Sequence, residues 1–144
     1  MKTLIKAFVF MALAGFVTGA SADSYFDGSK PLICTVHQLY ECDPPNDCRP
    51  VTPDEIDAPA HLDIDFKKKL IIQPGVESEK KSTIKSVETV DNKLFIQSIE
   101  DGAENVRDGA GWTISIMDPE GTMVMAVAAD GFGVIALGAC VPKP

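Results

Sequence analysis

Three of the four cysteines lie within LICTVHQLYECDPPNDC, residues 32–48, together with a histidine and two aspartates. These side chains could bind a metal ion, exchange electrons or form structural disulfides. Zinc sites usually combine close pairs of cysteine or histidine. Here seven residues separate Cys34 from Cys42, five separate Cys42 from Cys48, and His37 has no well-spaced partner. No C-x-x-C redox motif is present either. The spacing favours structural disulfides.

Four cysteines allow three disulfide pairings. The insert DPPND, residues 43–47, is turn-forming, so we predict that it brings Cys42 to Cys48. Cys34 and Cys140 would then join the first predicted strand to the last. In the chain-entropy model the short loop contributes about 2.4 kcal/mol and the long loop about 4.8 kcal/mol.

Residues 1–22 have the pattern of a cleaved signal peptide. Two early lysines precede the apolar run 7–17, and Ala20, Ser21 and Ala22 suit a signal peptidase. An uncleaved anchor is the alternative, but a membrane span needs about 20 apolar residues. We therefore expect a periplasmic or secreted protein without a membrane anchor, in a compartment that permits disulfides.

Residues 23–144 are expected to form one β domain, with a cysteine-containing segment (23–60) followed by a β meander (61–140). Loss of Lys2 and Lys6 changes the formal charge from -8 to -10. This acid excess disfavours nucleic acid and anionic membranes as partners. It suits a cationic protein partner, although acidity also simply favours solubility.

A period of two dominates the mature chain. HLDIDF (61–66) and GWTISIM (111–117) both place apolar residues at alternate positions, as half-buried strands do. Further strands are predicted at 32–40, 70–73, 84–90, 94–100, 122–129 and 132–139. Turn sequences at Asp91, Asp118 and Asp130 separate several of them. We therefore predict an all-β fold of six to eight short antiparallel strands, forming a small disulfide-stapled barrel or sandwich.

The hairpin 122–139 is apolar on both faces. A type I′ turn at Asp130 and Gly131 would pair Val127 with Val134. One face then contains Met123, Met125, Val127, Phe132 and Val134, and the other contains Val124, Ala126, Ala128, Ile135, Leu137 and Ala139. Each face needs cover from the opposite wall, the N-terminal segment or a second subunit. We expect a monomer, or a weak dimer through this hairpin.

The preceding hairpin has two alternative registers. A two-residue turn at Pro119 and Glu120 pairs Ile116 with Met123. A type I turn with a glycine bulge instead pairs Met117 with Met123 and moves the methionines to the other face. We favour the first register because its face is more uniformly apolar.

Two residue sets could bind a metal ion: Met117, Met123 and Met125, or His61, Asp63 and Asp65. Thioethers are soft ligands that suit copper(I), but methionine also fills irregular gaps in a core. The histidine and aspartates alternate along one strand, as polar residues do on any solvent face. We predict neither a metal nor another cofactor.

Catalytic motifs are absent from the sequence. His37 and His61 are the only imidazoles, and there is no G-x-S-x-G, H-E-x-x-H or phosphate-binding glycine loop. The loop 101–111 could face a ligand, or it could be an ordinary β-loop. We predict a non-catalytic protein; an enzyme with an unrecognised carboxylate site is the alternative.

The order of HLDIDF, LFIQSIEDG, GWTISIM and VIALGAC resembles a family of small exported proteobacterial proteins of unknown function. The resemblance covers residues 32–140 and brings no catalytic or binding residues. In size, compartment and architecture the chain is also similar to periplasmic lysozyme inhibitors, although the tryptophan- and lysine-containing signature of the membrane-anchored type is absent. That likeness implies a basic protein partner in the envelope. We expect a non-catalytic envelope protein that binds a protein, or a small apolar ligand in its interior.

Overall fold

The computed structural model describes residues 24–74, 80–100, 102, 105 and 109–144. These residues form an all-β fold, one curled half-barrel sheet of ten antiparallel strands. The strands are β1 (Leu32–Cys42), β2 (Arg49–Val51), β3 (His61–Asp65), β4 (Leu70–Gln73), β5 (Lys80–Thr83), β6 (Ser86–Val90), β7 (Lys93–Glu100), β8 (Ala110–Met117), β9 (Thr122–Ala128) and β10 (Gly133–Pro142). No helix in the described part of the chain is long and apolar enough to cross a membrane. The predicted signal peptide lies outside the described residues.

The first strand occupies the middle of the sheet. The strand order is β5-β4-β3-β1-β10-β9-β8-β7-β6, and β2 pairs with β1 in addition. Two meanders, β3 to β5 and β6 to β10, therefore meet on either side of β1. The cysteine-containing N-terminal segment thus supplies a central strand of the sheet.

The chain itself links the two ends of the sheet. Ile84 donates its backbone N–H to the carbonyl oxygen of Lys69 at 2.8 Å, and Lys85 donates its N–H to the carbonyl oxygen of Gln97 at 2.9 Å. β5 pairs with β4 and β6 pairs with β7, so residues 80–90 pass from one end of the sheet to the other. This connection accounts for the curled, barrel-like form.

The interior of the half-barrel is filled by side chains. The main buried cluster contains Phe26, Leu32, Cys34, Leu62, Ile64, Ile71, Ile84, Leu94, Ile96, Trp112, Ile114, Ile116, Met123 and Cys140. Phe26 comes from the segment before β1 and packs at the β8–β9 turn, where a Cβ on Gly121 would lie 2.8 Å from its Cζ. Burial of this apolar surface is the main stabilising term of the fold.

The predicted register of the β8–β9 hairpin is confirmed. Ile114 pairs with Met125, and Ile116 pairs with Met123. The turn between them is longer than the predicted two residues. β8 ends at Met117 and β9 begins at Thr122, which leaves residues 118–121 in the connection. The register places the apolar residues of both strands on the inner face, as expected from the uniformity of that face.

The last hairpin has the predicted register but a different turn. Val127 pairs with Val134, as predicted. Gly131 has a positive φ of 87° whereas Asp130 does not, and a type I′ turn requires positive φ at both positions. The prediction of a type I′ turn at this hairpin was therefore wrong. The β6–β7 hairpin meets that requirement, with φ of 51° at Asp91 and 58° at Asn92.

Both predicted disulfides are present. Cys34 pairs directly with Cys140 in the β1–β10 register, and their sulfur atoms are bonded at 2.03 Å. Cys42 and Cys48 are bonded at 2.00 Å across the six-residue separation of the DPPND turn. The first bridge lies in the core, whereas the second closes a surface turn.

Candidate functional site

A groove of about 500 Å³ lies on the outer face of β7, β8 and β9. The strand register arranges its outward residues in two rows. One row contains Gln97, Thr113 and Ala126, and the other contains Ile99, Gly111 and Ala128. The volume falls within the range of about 300–1,000 Å³ that is typical of small-molecule sites.

Small residues form the floor of the groove. Gly111, Ala126 and Ala128 lie on adjacent strands and leave a depression in the sheet surface. Ile99 stands beside them with 73% of its surface exposed. A ligand that covers this isoleucine and the apolar floor beside it would remove apolar surface from water, which is favourable.

Hydrogen-bonding side chains form one wall. Ser86 Oγ donates to Gln97 Oε1 at 3.2 Å, and Gln97 Nε2 donates to Thr113 Oγ1 at 3.3 Å. This row fixes the orientation of the Gln97 amide. Lys85 also lines the groove, and no described residue forms an ion pair with its Nζ. The groove is therefore apolar with one polar, cationic wall.

The single tryptophan lies beneath this surface. Trp112 is largely buried and contributes to the lining of the groove from the inner side. Its indole Nε1–H donates to Glu100 Oε1 at 2.9 Å, which satisfies the buried donor. Because the chain has one tryptophan, its fluorescence reports on this site alone.

The structure disperses the three methionines considered for copper. Met117 is exposed on the outer face, whereas Met123 is fully buried in the core and Met125 packs against it. The sheet therefore separates Met117 from Met123 and Met125. Their positions match the packing role of methionine instead of a shared site.

Each polar residue considered on β3 has another partner. His61 Nδ1 lies 3.2 Å from Thr35 Oγ1, and Asp63 binds Lys143 Nζ at 2.7 Å. Asp65 accepts the backbone N–H of Lys68 at 3.0 Å. In the part of the chain that the structure describes, no three His, Cys, Asp or Glu side chains are grouped to hold a metal ion.

Three carboxyls, those of Asp27, Glu55 and the half-buried Asp65, have a lowered pKa. A side-chain hydrogen bond with Ser29 lowers the pKa of Asp27. The backbone N–H of Thr52, at 2.6 Å, and then its hydroxyl lower the pKa of Glu55. The backbone N–H of Lys68 lowers the pKa of Asp65. These three carboxyls lie outside the groove lining, so their shifts reflect local turn structure.

Sequence reasoning missed the groove but came close to it. The sequence allows a ligand-facing role for the loop 101–111, and most of that loop lies outside the described residues. Gly111, at its end, is part of the groove floor. The sequence signal for the groove is the pair of small residues at alternate positions within 122–129. By itself that pattern predicts only that this face of the strand is covered by another element.

Comparisons of the chain with models of protein families, with curated proteins and with solved structures find no significant match. Function therefore has to be inferred from the chemistry and shape of the groove and the surrounding surface.

Proposed function

We propose that the chain is an exported, non-catalytic binding protein of the cell envelope, and that it holds a small apolar ligand in the β7–β9 groove. The location of the concave surface carries this proposal. Core side chains fill the inner face of the sheet, and the groove of about 500 Å³ lies outside, over Gly111, Ala126 and Ala128. The expected binding site thus moves from the interior to the outer face.

Export is supported by the pattern of residues 1–22 and by the two disulfides. Disulfides persist in oxidising compartments such as the periplasm and the extracellular space. Every cysteine is bridged, so no thiol needs a reducing environment.

The chemistry of the groove favours binding over catalysis. Its polar lining side chains are Lys85, Ser86, Gln97, Ser98 and Thr113. Ser86 and Ser98 already donate to other groups, Gln97 and the carbonyl of Thr83 respectively. Among the described lining residues there is no carboxylate or imidazole to act as a general acid or base.

The residues that line the groove also restrict the chemistry of the ligand. An apolar body would cover Ile99 and the small-residue floor, and a polar end group would meet Gln97 and Lys85. A fatty acid of medium length has this chemistry. Apolar burial would supply most of the affinity and the polar wall would set the orientation.

Fluorescence provides the test. The disulfide-intact mature protein would be titrated with N-phenyl-1-naphthylamine and with dodecanoate while Trp112 emission is recorded. Gly111→Val should fill the groove, since the nearest atom to a Cβ there is Ser98 O at 4.0 Å. We expect this variant to bind both probes at least about tenfold more weakly, which corresponds to the loss of about 1.4 kcal/mol of binding free energy.

Ser115→Val is the matched control. It adds the same branched side chain to an outward position of the same strand, but Ser115 does not line the groove. It should bind both probes like the wild type. Equal binding by Gly111→Val and the wild type, or no binding by the wild type, would refute the proposal.

A further inference from the structure

An uncharged surface extends from the groove across β8, β9, β10 and β1. Burial alternates along these strands, and the register aligns their outward residues side by side. We call this surface the outer face; it consists of Thr113, Ser115, Met117, Thr122, Val124, Ala126, Ala128, Ile135, Leu137, Ala139, Val141, Ile33, Thr35, Gln38 and Tyr40.

None of these side chains carries a formal charge at pH 7, although 24% of the residues in the chain are charged. Charged residues appear at its borders: Asp63 lies opposite Ile33 on β3, and Lys93 lies opposite Met117 on β7. His37, exposed in the β1 bulge, is the one imidazole within this stretch of β1. An uncharged centre with a charged rim is the anatomy of a protein interface.

Large apolar side chains are exposed within the outer face. Val124 is 43% exposed and Val141 is 59% exposed. The predicted need for cover on this side of the last hairpin is not met by the described residues, because β1 pairs beside β10 and does not lie over it. Large apolar side chains that are exposed on an uncharged surface gain from being covered by a partner.

We infer that a second copy of this chain packs on the outer face. The mature chain is expected to carry a charge of -10, so contact through strands that bear acidic side chains would oppose carboxylates of the two copies. The outer face avoids this repulsion. A two-fold symmetric contact brings the same uncharged patch from both copies together.

The outward residues of the outer face differ in size from strand to strand. Val124 lies between Ser115 and Leu137 in one row, and Ala126 lies between Thr113 and Ile135 in the next. The smaller outward residues of β8 and β9 therefore lie beside larger ones on β10 and β1, and two such sheets can pack face to face about 10 Å apart.

The area of the outer face sets the expected affinity of the dimer. The fifteen outward positions, three on β8 and four each on β9, β10 and β1, lie about 6.7 Å apart along strands that are about 4.8 Å apart, so they cover about 500 Å². Two copies would bury about 1,000 Å² in total, near the lower limit for a specific interface. We therefore expect a reversible dimer with a dissociation constant in the micromolar range. The dimer goes beyond the proposed ligand binding and does not rest on it, but Thr113, Ala126 and Ala128 belong to both surfaces, so a second copy would compete with a ligand for them.

Sedimentation equilibrium of the disulfide-intact mature protein, from about 5 to 500 µM, tests this inference. Val124→Glu and Met117→Glu each place a carboxylate on the outer face at a side chain that is already 43% exposed, so both should fold. We expect either change to raise the dissociation constant at least about tenfold, because like charges would meet in a desolvated contact.

Thr89→Glu provides the control, since it adds the same charge at an exposed position of β6, off the outer face. It should dimerise nearly as well as the wild type. Salt should strengthen the wild-type dimer, because screening reduces the overall repulsion between two acidic chains while the contact itself has no charges to screen.

Three outcomes would overturn the inference. The wild type could stay monomeric up to about 500 µM, well above the expected dissociation constant. Both glutamate variants could dimerise like the wild type, or Thr89→Glu could weaken the dimer as much as they do. The last result would indicate that total charge controls association instead of the outer face.

Discussion

Gly138 of β10 lies against the backbone of Thr35 of β1, so closely that a Cβ at position 138 would overlap the Thr35 carbonyl oxygen. The same Cβ would lie 2.9 Å from Cε of Met123 in the core. Gly138 pairs with Val36, directly beside the bulge between Val36 and Gln38. The glycine thus allows the two central strands to approach where β1 changes register.

Gly138→Ala should destabilise the fold. The methyl group must displace backbone, which cannot yield as a flexible side chain can, and we expect the free energy of unfolding to fall by about 1–3 kcal/mol. Urea unfolding with the disulfides intact measures this loss. Gly111→Ala is the matched control, because its Cβ would meet nothing closer than 4.0 Å. It should change stability by less than about 0.5 kcal/mol. Similar losses in both variants would contradict the close-contact explanation.

The two disulfides should contribute unequally. Cys34–Cys140 spans 106 positions and Cys42–Cys48 spans six, so the chain-entropy model gives about 4.8 and about 2.4 kcal/mol. The double alanine variant of the first pair also empties buried volume, because both cysteines lie in the core. We expect it to lower the midpoint of urea unfolding more than the double alanine variant of Cys42 and Cys48. Equal midpoints would argue against the entropic account.

The hydrogen bond from Trp112 to Glu100 should be visible in both stability and fluorescence. Glu100→Ala leaves the buried indole N–H without its acceptor, which costs about 1–3 kcal/mol of unfolding free energy. Glu100→Gln retains a carbonyl acceptor and should lose less. Trp112 emission should shift in the alanine variant more than in the glutamine variant. Identical effects of the two substitutions would show that the acceptor is unimportant.

The strands that were predicted well from the sequence share one property: apolar and polar residues alternate along them, and one face is buried. β3, β4 and β8 all begin and end within a residue of the predicted positions, and the register at Ile116 and Met123 followed from the uniformity of the apolar face. β2 (RPV) and β5 (KKST) were not predicted as strands, because neither has an apolar alternation. They are held mainly by backbone pairing to β1 and β4, which side-chain patterns do not report.

The groove was harder to predict than the fold. Its floor combines Gly111 of β8 with Ala126 and Ala128 of β9, and only the register brings these small residues together. On one strand, a small residue indicates little beyond tolerance of close packing. The outer face was partly predicted, because both faces of 122–139 are apolar. Its extension across β1 depends on the pairing of the first strand with the last, which the Cys34–Cys140 prediction implied.

Asp65 should make part of the stability depend on pH. Its Oδ1 accepts the backbone N–H of Lys68 at 3.0 Å, and this hydrogen bond is the main reason that the pKa of Asp65 falls below its ordinary value of 3.8. Because the folded pKa is the lower one, the charged carboxylate stabilises the folded state above the unfolded pKa. That contribution is lost as the pH falls through the folded pKa.

Asp65→Asn should therefore lower the thermal unfolding temperature at neutral pH, and the difference from the wild type should shrink as the pH falls below about 4. Thermal unfolding monitored by circular dichroism across that range measures it. Lys68→Ala separates the causes, because it removes the ion pair with Asp65 but keeps the backbone N–H. Most of the pH dependence should survive in that variant. A constant difference between Asp65→Asn and the wild type at every pH would show that the hydrogen bond does not favour the charged carboxylate.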